Sequence, residues 1–170
     1  RTKLFDGLLL PDTYAYTADT NANHILRTAN ARLNDVLTEA WRNKSMHSLA
    51  KNPYELLIVA SIVERETNIT QERPIIAGII YNRLSKHMRL QMDPTVLYAV
   101  NKPWGTSITK QDLRTQSPYN TYTHFGLPPN PIAMPSKESI IAAAMPQKTS
   151  YLYFVAAGDG QHTFSKDYQS

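Results

Sequence analysis

Leu56–Thr67 reads LLIVASIVERET and sets two glutamates inside one of the most apolar segments of the chain. At 3.6 residues per turn the segment is apolar almost all round, which predicts a helix buried at the centre of a domain. A carboxyl in such surroundings is paired, neutral or in use. Glu64 points between the directions of Leu57 and Ala60, and Glu66 points to nearly the opposite side, between Val59 and Ile62. One cleft cannot serve both.

Helical side chains lean back over positions i−3 and i−4. Glu64 then lies over Ala60 and Ser61, whose small side chains leave room for an approaching group. Glu66 lies over Ile62 and Val63, which fill that room. This favours Glu64 as the cleft residue, with a pKa raised by desolvation, as a general acid for a glycosidic bond requires. The alternative for Glu64 is an ion pair with an arginine such as Arg83 or Arg89. Glu66 and Glu55 read as helix-end or surface charges.

Working outward, Pro53 sits where this helix begins. Upstream, NHILRTANARLNDVLTEAW has helical spacing, with Leu26, Ala29, Leu33, Val36, Leu37 and Ala40 on one face. The first segment, Leu4–Tyr16, reads as extended structure broken at Asp6-Gly7 and Pro11-Asp12. Downstream, TQERPIIAGIIYNRL predicts a helix capped by Thr70 with Pro74 in its first turn. MDPTVLYAV predicts a short helix capped by Asp93. Residues 101–135 are loop-rich, and SKESIIAAAM predicts a helix capped by Ser136 and stopped at Pro146. YLYFVAAGDGQHTFS predicts a hairpin turning at Gly158-Asp159-Gly160. The expected fold is a single α+β domain over 1–170, mainly helical around the buried central helix. Its small antiparallel sheet would join the N-terminal strand to the C-terminal hairpin.

With 170 residues and 42% hydrophobic content, the chain is large enough to bury a real core. The absence of cysteine excludes disulfides and thiolate metal sites. His24, His47, His87, His124 and His162 show no metal-ligand spacing. No GxSxG elbow or phosphate-cradling glycine loop occurs, so neither a metal nor a nucleotide cofactor is expected. The formal charge of +4 suits an anionic partner, but no concentrated basic stripe points to nucleic acid. No run approaches the roughly 20 apolar residues of a membrane span.

RLQMDPTVLY and SPYNTY gather polar and aromatic groups in loops. Gln91, Asp93, Thr95, Tyr98, Tyr119, Asn120 and Tyr122 offer the amides, hydroxyls and flat rings that sugars need. For Asp93 a helix cap, and for the tyrosines a place in the core, are the alternatives.

In order and over nearly the whole chain, ASIVERET, ERPIIAGIIYNRL, MRLQMDPTVLY, SPYNTYTHFGLPPNPIAMPS and YLYFVAAGDGQHTFS resemble the endolytic murein transglycosylases, the YceG-like or MltG family. The opening DGLLLPDTYAY is similar to the segment that precedes that family's catalytic region. The resemblance implies an enzyme that cuts nascent peptidoglycan strands internally, between N-acetylmuramic acid and N-acetylglucosamine. The products would end in 1,6-anhydro-N-acetylmuramic acid. It maps the family's catalytic glutamate onto ASIVE, hence onto Glu64. It also implies an N-terminal membrane anchor and a LysM-like region, placement at the periplasmic face of the inner membrane, peptidoglycan synthases as partners, and no cofactor. Starting at Arg1 and ending at Ser170, the chain reads as a fragment without the anchor and most or all of the LysM-like part.

A lytic transglycosylase can work with one carboxylate. Glu64 would protonate the glycosidic oxygen, and the substrate's acetamido group would support the anomeric carbon. Glu64 would then take the proton of the C6 hydroxyl as the anhydro ring closes. Gln91, Asp93, Asn120 and Tyr122 would line the groove. Two other readings stand: a hydrolytic muramidase pairing Glu64 with Asp93, and a non-catalytic module that binds peptidoglycan.

Overall fold

In the computed structural model, which describes residues 6–15, 17, 21–158 and 160–168, the apolar run forms α2, Pro53–Glu66. Asn52 caps it by accepting from the Glu55 N–H, and Pro53 occupies the first turn, where its missing N–H costs nothing. Leu56 through Val63 are all buried, as a helix without a polar face must be. It is covered by α1 (Ala22–Arg42), α3 (Arg73–Ser85), α4 (Asp93–Ala99) and α6 (Lys137–Ala144). Ser61 keeps the helix tied to the loop beyond it: its hydroxyl donates to Ile58 O at 2.7 Å and accepts from Ile132 N at 3.1 Å.

α1 lays Ala29, Leu33 and Ala40 on the core. A four-residue helix, α5 (Lys110–Leu113), interrupts the stretch expected to be loop; Thr109 and Asp112 close it as a reciprocal capping box. α6 starts at Ser136, as its cap chemistry predicts.

Two helix starts differ from expectation. α3 begins at Arg73 rather than after Thr70, because Thr67 and Glu72 close the preceding turn themselves with a 2.9 Å hydrogen bond. At α4 the capping position is Met92, and Asp93 is the first helical residue, its carboxylate directed elsewhere.

The sheet has two antiparallel strands, β1 (Tyr153–Ala156) and β2 (His162–Ser165), with Phe154 opposite Phe164 and Ala156 opposite His162. The hairpin is as expected; the N-terminal strand is not part of it. Residues 6–15 form no strand and dock on α1, where Leu10 N donates to Ala29 O and Asn30 Nδ2 to Leu8 O. Leu4, Phe5 and Tyr16, the remainder of the expected extended segment, and Asp159 of the hairpin turn lie outside the described residues.

The hairpin is held over α3 by one face of that helix. Gly78 lets the chain cross so closely that a Cβ there would stand 2.5 Å from Gln147 O. One turn on, Asn82 Nδ2 donates to Thr149 O and Tyr151 O at 2.9 Å each, and Arg83 Nε donates to Leu152 O at 2.7 Å. This row of contacts delivers β1 to the C-terminal end of α2.

Candidate active site

Glu64 and Glu66 of α2 have opposite fates. Glu64 faces the N-terminus of α6, where Ser136 N (2.9 Å), Ser136 Oγ (2.6 Å) and Ser139 Oγ (2.6 Å) all donate to its Oε2. Burial pushes its pKa up, but these donors and the nearby Arg73 outweigh it, and the pKa is lowered. The expectation of a raised pKa is overturned. The space left by Ala60 and Ser61 is real, but α6 and the Ile132 loop occupy it. Neither Arg83 nor Arg89 pairs with Glu64 among the described residues.

Glu66 is neither an idle helix-end charge nor paired. It stands in the last turn of α2, half-buried in a cleft of about 330 Å³ shared with Arg83, Leu90, Gln91, Met92, Asp93, Tyr122, the β1 residues Phe154–Ala156 and His162. No described residue hydrogen-bonds its carboxyl. Desolvation, with the carboxylate of Asp93 as the second cause, pushes its pKa up to about 8. A carboxyl that keeps its proton at neutral pH and faces open space is the arrangement a general acid needs.

The walls of the cleft are pinned by polar contacts. The Tyr122 hydroxyl donates to Asp93 Oδ1 at 2.5 Å. Burial and the neighbouring Asp93 hold that phenol well above its ordinary pKa. Gln91 takes a left-handed backbone (φ 52°), uncommon outside glycine and concentrated at functional sites. Its N–H donates to Thr121 O at 3.1 Å, and Met92 N donates to Thr121 Oγ1 at 2.9 Å. On the hairpin side, His162 donates its backbone N–H to Glu72 Oε1 at 2.8 Å and sets Nδ1 2.7 Å from Oε2. Burial opposes it, but these bonds, that of Thr67 and the His162 charge keep the Glu72 carboxyl low.

Of the residues expected to bind substrate, Gln91, Asp93 and Tyr122 meet in this cleft with Glu66. Thr95 and Asn120 do not: both are fully buried. The Thr95 hydroxyl donates to Met92 O at 2.6 Å and shares a 2.8 Å hydrogen bond with Thr121. Asn120 Nδ2 reaches Leu113 O and Thr115 O, while its Oδ1 accepts from Tyr122 N at 2.9 Å. They brace the segments carrying Gln91, Asp93 and Tyr122 and touch no solvent. Tyr98 packs on Tyr119 with ring centroids 4.9 Å apart, and the Tyr119 hydroxyl donates to Asn130. Tyr98 lines a separate pocket with Arg65 and Trp104.

Sequence reasoning missed Glu66, Arg83 and His162 as cleft residues. A helix end protruding from a core is where a carboxyl meets other loops, and that signal could have found Glu66. Nothing local marks Arg83 or His162, which reach the cleft only through the α3–hairpin packing. Among the described residues no group of three or more His, Asp or Glu is placed to hold a metal ion, and no helix is long and apolar enough to cross a membrane.

A helical α+β domain with an unpartnered, protonated glutamate in a polar cleft is an arrangement suited to general-acid chemistry. The chain belongs to the YceG-like family, which it matches over residues 1–170. It is 40% identical over 162 residues to the endolytic murein transglycosylase of Bacillus subtilis (strain 168), covering 95% of this chain and 44% of that protein. To the endolytic murein transglycosylase of Streptococcus pneumoniae serotype 2 it is 35% identical over 156 residues, covering 89% of this chain and 28% of that protein. Its fold matches the crystal structure of a yceG-like protein from Listeria monocytogenes with a TM-score of 0.84 and 37% identity, over 97% of this chain and 53% of that one. The chain thus spans less than half the length of these two curated relatives.

Proposed function

We propose that this chain is the catalytic part of an endolytic lytic transglycosylase that cuts the N-acetylmuramic acid–N-acetylglucosamine bond of peptidoglycan, with Glu66 as proton donor and then proton acceptor. The relatives named endolytic murein transglycosylase support the substrate class. The observation that carries the reaction is the Glu66 carboxyl, unbonded in an open cleft with its pKa pushed up to about 8. Glu66 replaces Glu64, whose Oε2 receives three hydrogen bonds from α6 that lower its pKa, so that it holds no proton to give at neutral pH.

In this reading Glu66 protonates the glycosidic oxygen as the bond breaks. The substrate's own acetamido oxygen supports the anomeric carbon. The ionised Glu66 then accepts the C6 hydroxyl proton as the 1,6-anhydro ring closes. Gln91, Asp93 and Tyr122 position the sugar. The reaction consumes no water and needs no cofactor. Strands would be met at the periplasmic face of a membrane, alongside the synthases that make them, through parts of the protein other than those described.

A second reading is favoured by one observation: Asp93 is a carboxylate in the same cleft as Glu66. A hydrolase uses such a pair, about 5–5.5 Å apart for retention and about 6.5–9.5 Å for inversion. Mass analysis of glycan digested by wild type and by Glu66→Gln decides. Ends one water lighter than reducing ends, formed by wild type only, support the transglycosylase; reducing ends indicate a muramidase. Undiminished cleavage by Glu66→Gln would remove Glu66 from the mechanism.

A further inference from the structure

We propose that Arg83 selects the substrate: through Nη2 its guanidinium takes an acceptor oxygen of the lactyl group that a muramoyl residue carries, so that the cleft prefers N-acetylmuramoyl units to neutral amino sugars. The proposal rests on the glycan-cleaving reading above.

Arg83 lines the cleft yet is only 6% exposed. Its Nε donates to Leu152 O at 2.7 Å, and its Nη1 to Arg89 O (3.0 Å), Leu90 O (3.0 Å) and Gln91 Oε1 (3.3 Å). The Tyr153 ring lies 4.9 Å from its Cζ. Three backbone carbonyls thus fix the plane of the guanidinium, while Nη2 and its two N–H groups have no hydrogen-bond partner among the described residues. No described carboxylate lies within ion-pair distance either. A buried cation without a counter-charge is costly, and a guanidinium can only donate. The acidic groups of the cleft do not answer it. Asp93 Oδ1 is engaged by Tyr122, and the charge that acts on Glu66 is that of Asp93.

The cleft is therefore polarised, with a protonated carboxyl at one wall and a fixed, unanswered cation at another. A glycan lying with its scissile oxygen at Glu66 would present a ring substituent to Arg83. Both alternating sugars carry an acetamido group, but only the muramoyl unit carries the 3-O-lactyl group. It is a carboxylate on peptide-stripped strands and an amide where a stem peptide is attached. Both accept hydrogen bonds, and the carboxylate accepts the stronger, charge-assisted one. Gln91 adds to the argument: its left-handed backbone is held against Arg83 by the Oε1 contact, which turns this stretch of the wall toward the same corner.

The test is direct binding to the full chain carrying Glu66→Gln, which stops turnover. Four tetrasaccharide probes are used: peptide-free with lactyl carboxylates, the same with those carboxylates reduced to alcohols, peptide-bearing, and chitotetraose. The carboxylate probe should bind about 10- to 100-fold tighter than the reduced one and chitotetraose, with the peptide-bearing probe between. Equal binding of the carboxylate and reduced probes overturns the proposal and needs no Arg83 variant. Arg83→Lys, if folded, should lower the ratio of carboxylate-probe to reduced-probe affinity toward one, whatever its effect on overall binding; a ratio that persists there reassigns the preference to another cation. If no probe binds and wild type cuts no glycan, the glycan-cleaving reading fails and this inference falls with it. If wild type cuts glycan but binds carboxylate and reduced probes alike, only this inference fails.

Discussion

Asp93 and Glu66, the first residue of α4 and the last of α2, present their acidic groups to one cleft, and Glu66 keeps its proton at neutral pH. Tyr122 stabilises the Asp93 carboxylate with a 2.5 Å hydrogen bond, whereas Glu66 is left desolvated beside that charge. Asp93→Asn removes the smaller of the two causes. The Glu66 pKa should fall while remaining above 4.5, because desolvation, the larger cause, persists. The basic limb of the pH–rate profile for glycan cleavage should move to lower pH with it; an unmoved limb would separate Asp93 from Glu66.

As a general acid Glu66 must be protonated before the chemical step. Cleavage should therefore be sustained through neutral pH and decline above about 8. Glu66→Gln should lower the rate by about 10²- to 10⁴-fold, while Glu64→Gln, where folded, should keep most of it. Rates on isolated glycan strands, paired with circular dichroism of each variant, check both.

The same carboxyl costs stability. Unfolded, Glu66 ionises near 4.5; folded, near 8. Between these values the native state holds a proton that the unfolded state has released, so stability falls as pH rises through this window and is level above it. Glu66→Gln should then be more stable than wild type at pH 7 by about 1–3 kcal/mol, with little difference at pH 4. Urea denaturation at the two pH values measures it, and equal stability at pH 7 contradicts the raised pKa.

Glu64 and Glu72 act in the opposite sense. Their folded pKa values lie below the ordinary carboxylate value of 4.5. The stability they contribute is complete above that value and is lost as pH falls through the folded values. Glu64→Gln leaves the hydroxyls of Ser136 and Ser139 with a weaker acceptor and should cost about 2–3 kcal/mol at pH 7. Against wild type, this deficit should shrink in acid. Thermal melts from pH 7 to pH 3 would show it.

Asn120→Ala should behave as a packing lesion. It removes the donor shared by Leu113 O and Thr115 O and the acceptor for Tyr122 N, at a site without solvent to replace them. A loss of about 2–4 kcal/mol is expected, with KM of the folded fraction little changed. A large rise in KM without loss of stability would instead place Asn120 against substrate.

Much of the fold is legible in the sequence because its signals are local. Asn52-Pro53 starts α2, Ser136 starts α6, and the glycines near 158–160 turn the hairpin. Local signals failed where a longer-range partner took the residue. Asp93 caps nothing because Tyr122 holds it, and Thr70 caps nothing because Thr67 and Glu72 close the turn first. The N-terminal segment reads as extended, but Ala29 O and Asn30 on α1 supply its hydrogen bonds and the sheet does not.

The candidate site divides along the same line. The sequence alone implies that α2 is buried, that Glu64 and Glu66 face opposite ways, and that Gln91, Asp93 and Tyr122 are polar groups placed at loops or at a helix start. Which glutamate keeps its proton in an open cleft depends on the tertiary packing. A helix reports what lies beneath each side chain on its own surface; it cannot report what is packed across from it. Opposite Glu64 stands the N-terminus of α6, which supplies donors and keeps the carboxyl ionised. Opposite Glu66 there is a cleft, which supplies none and leaves the proton in place.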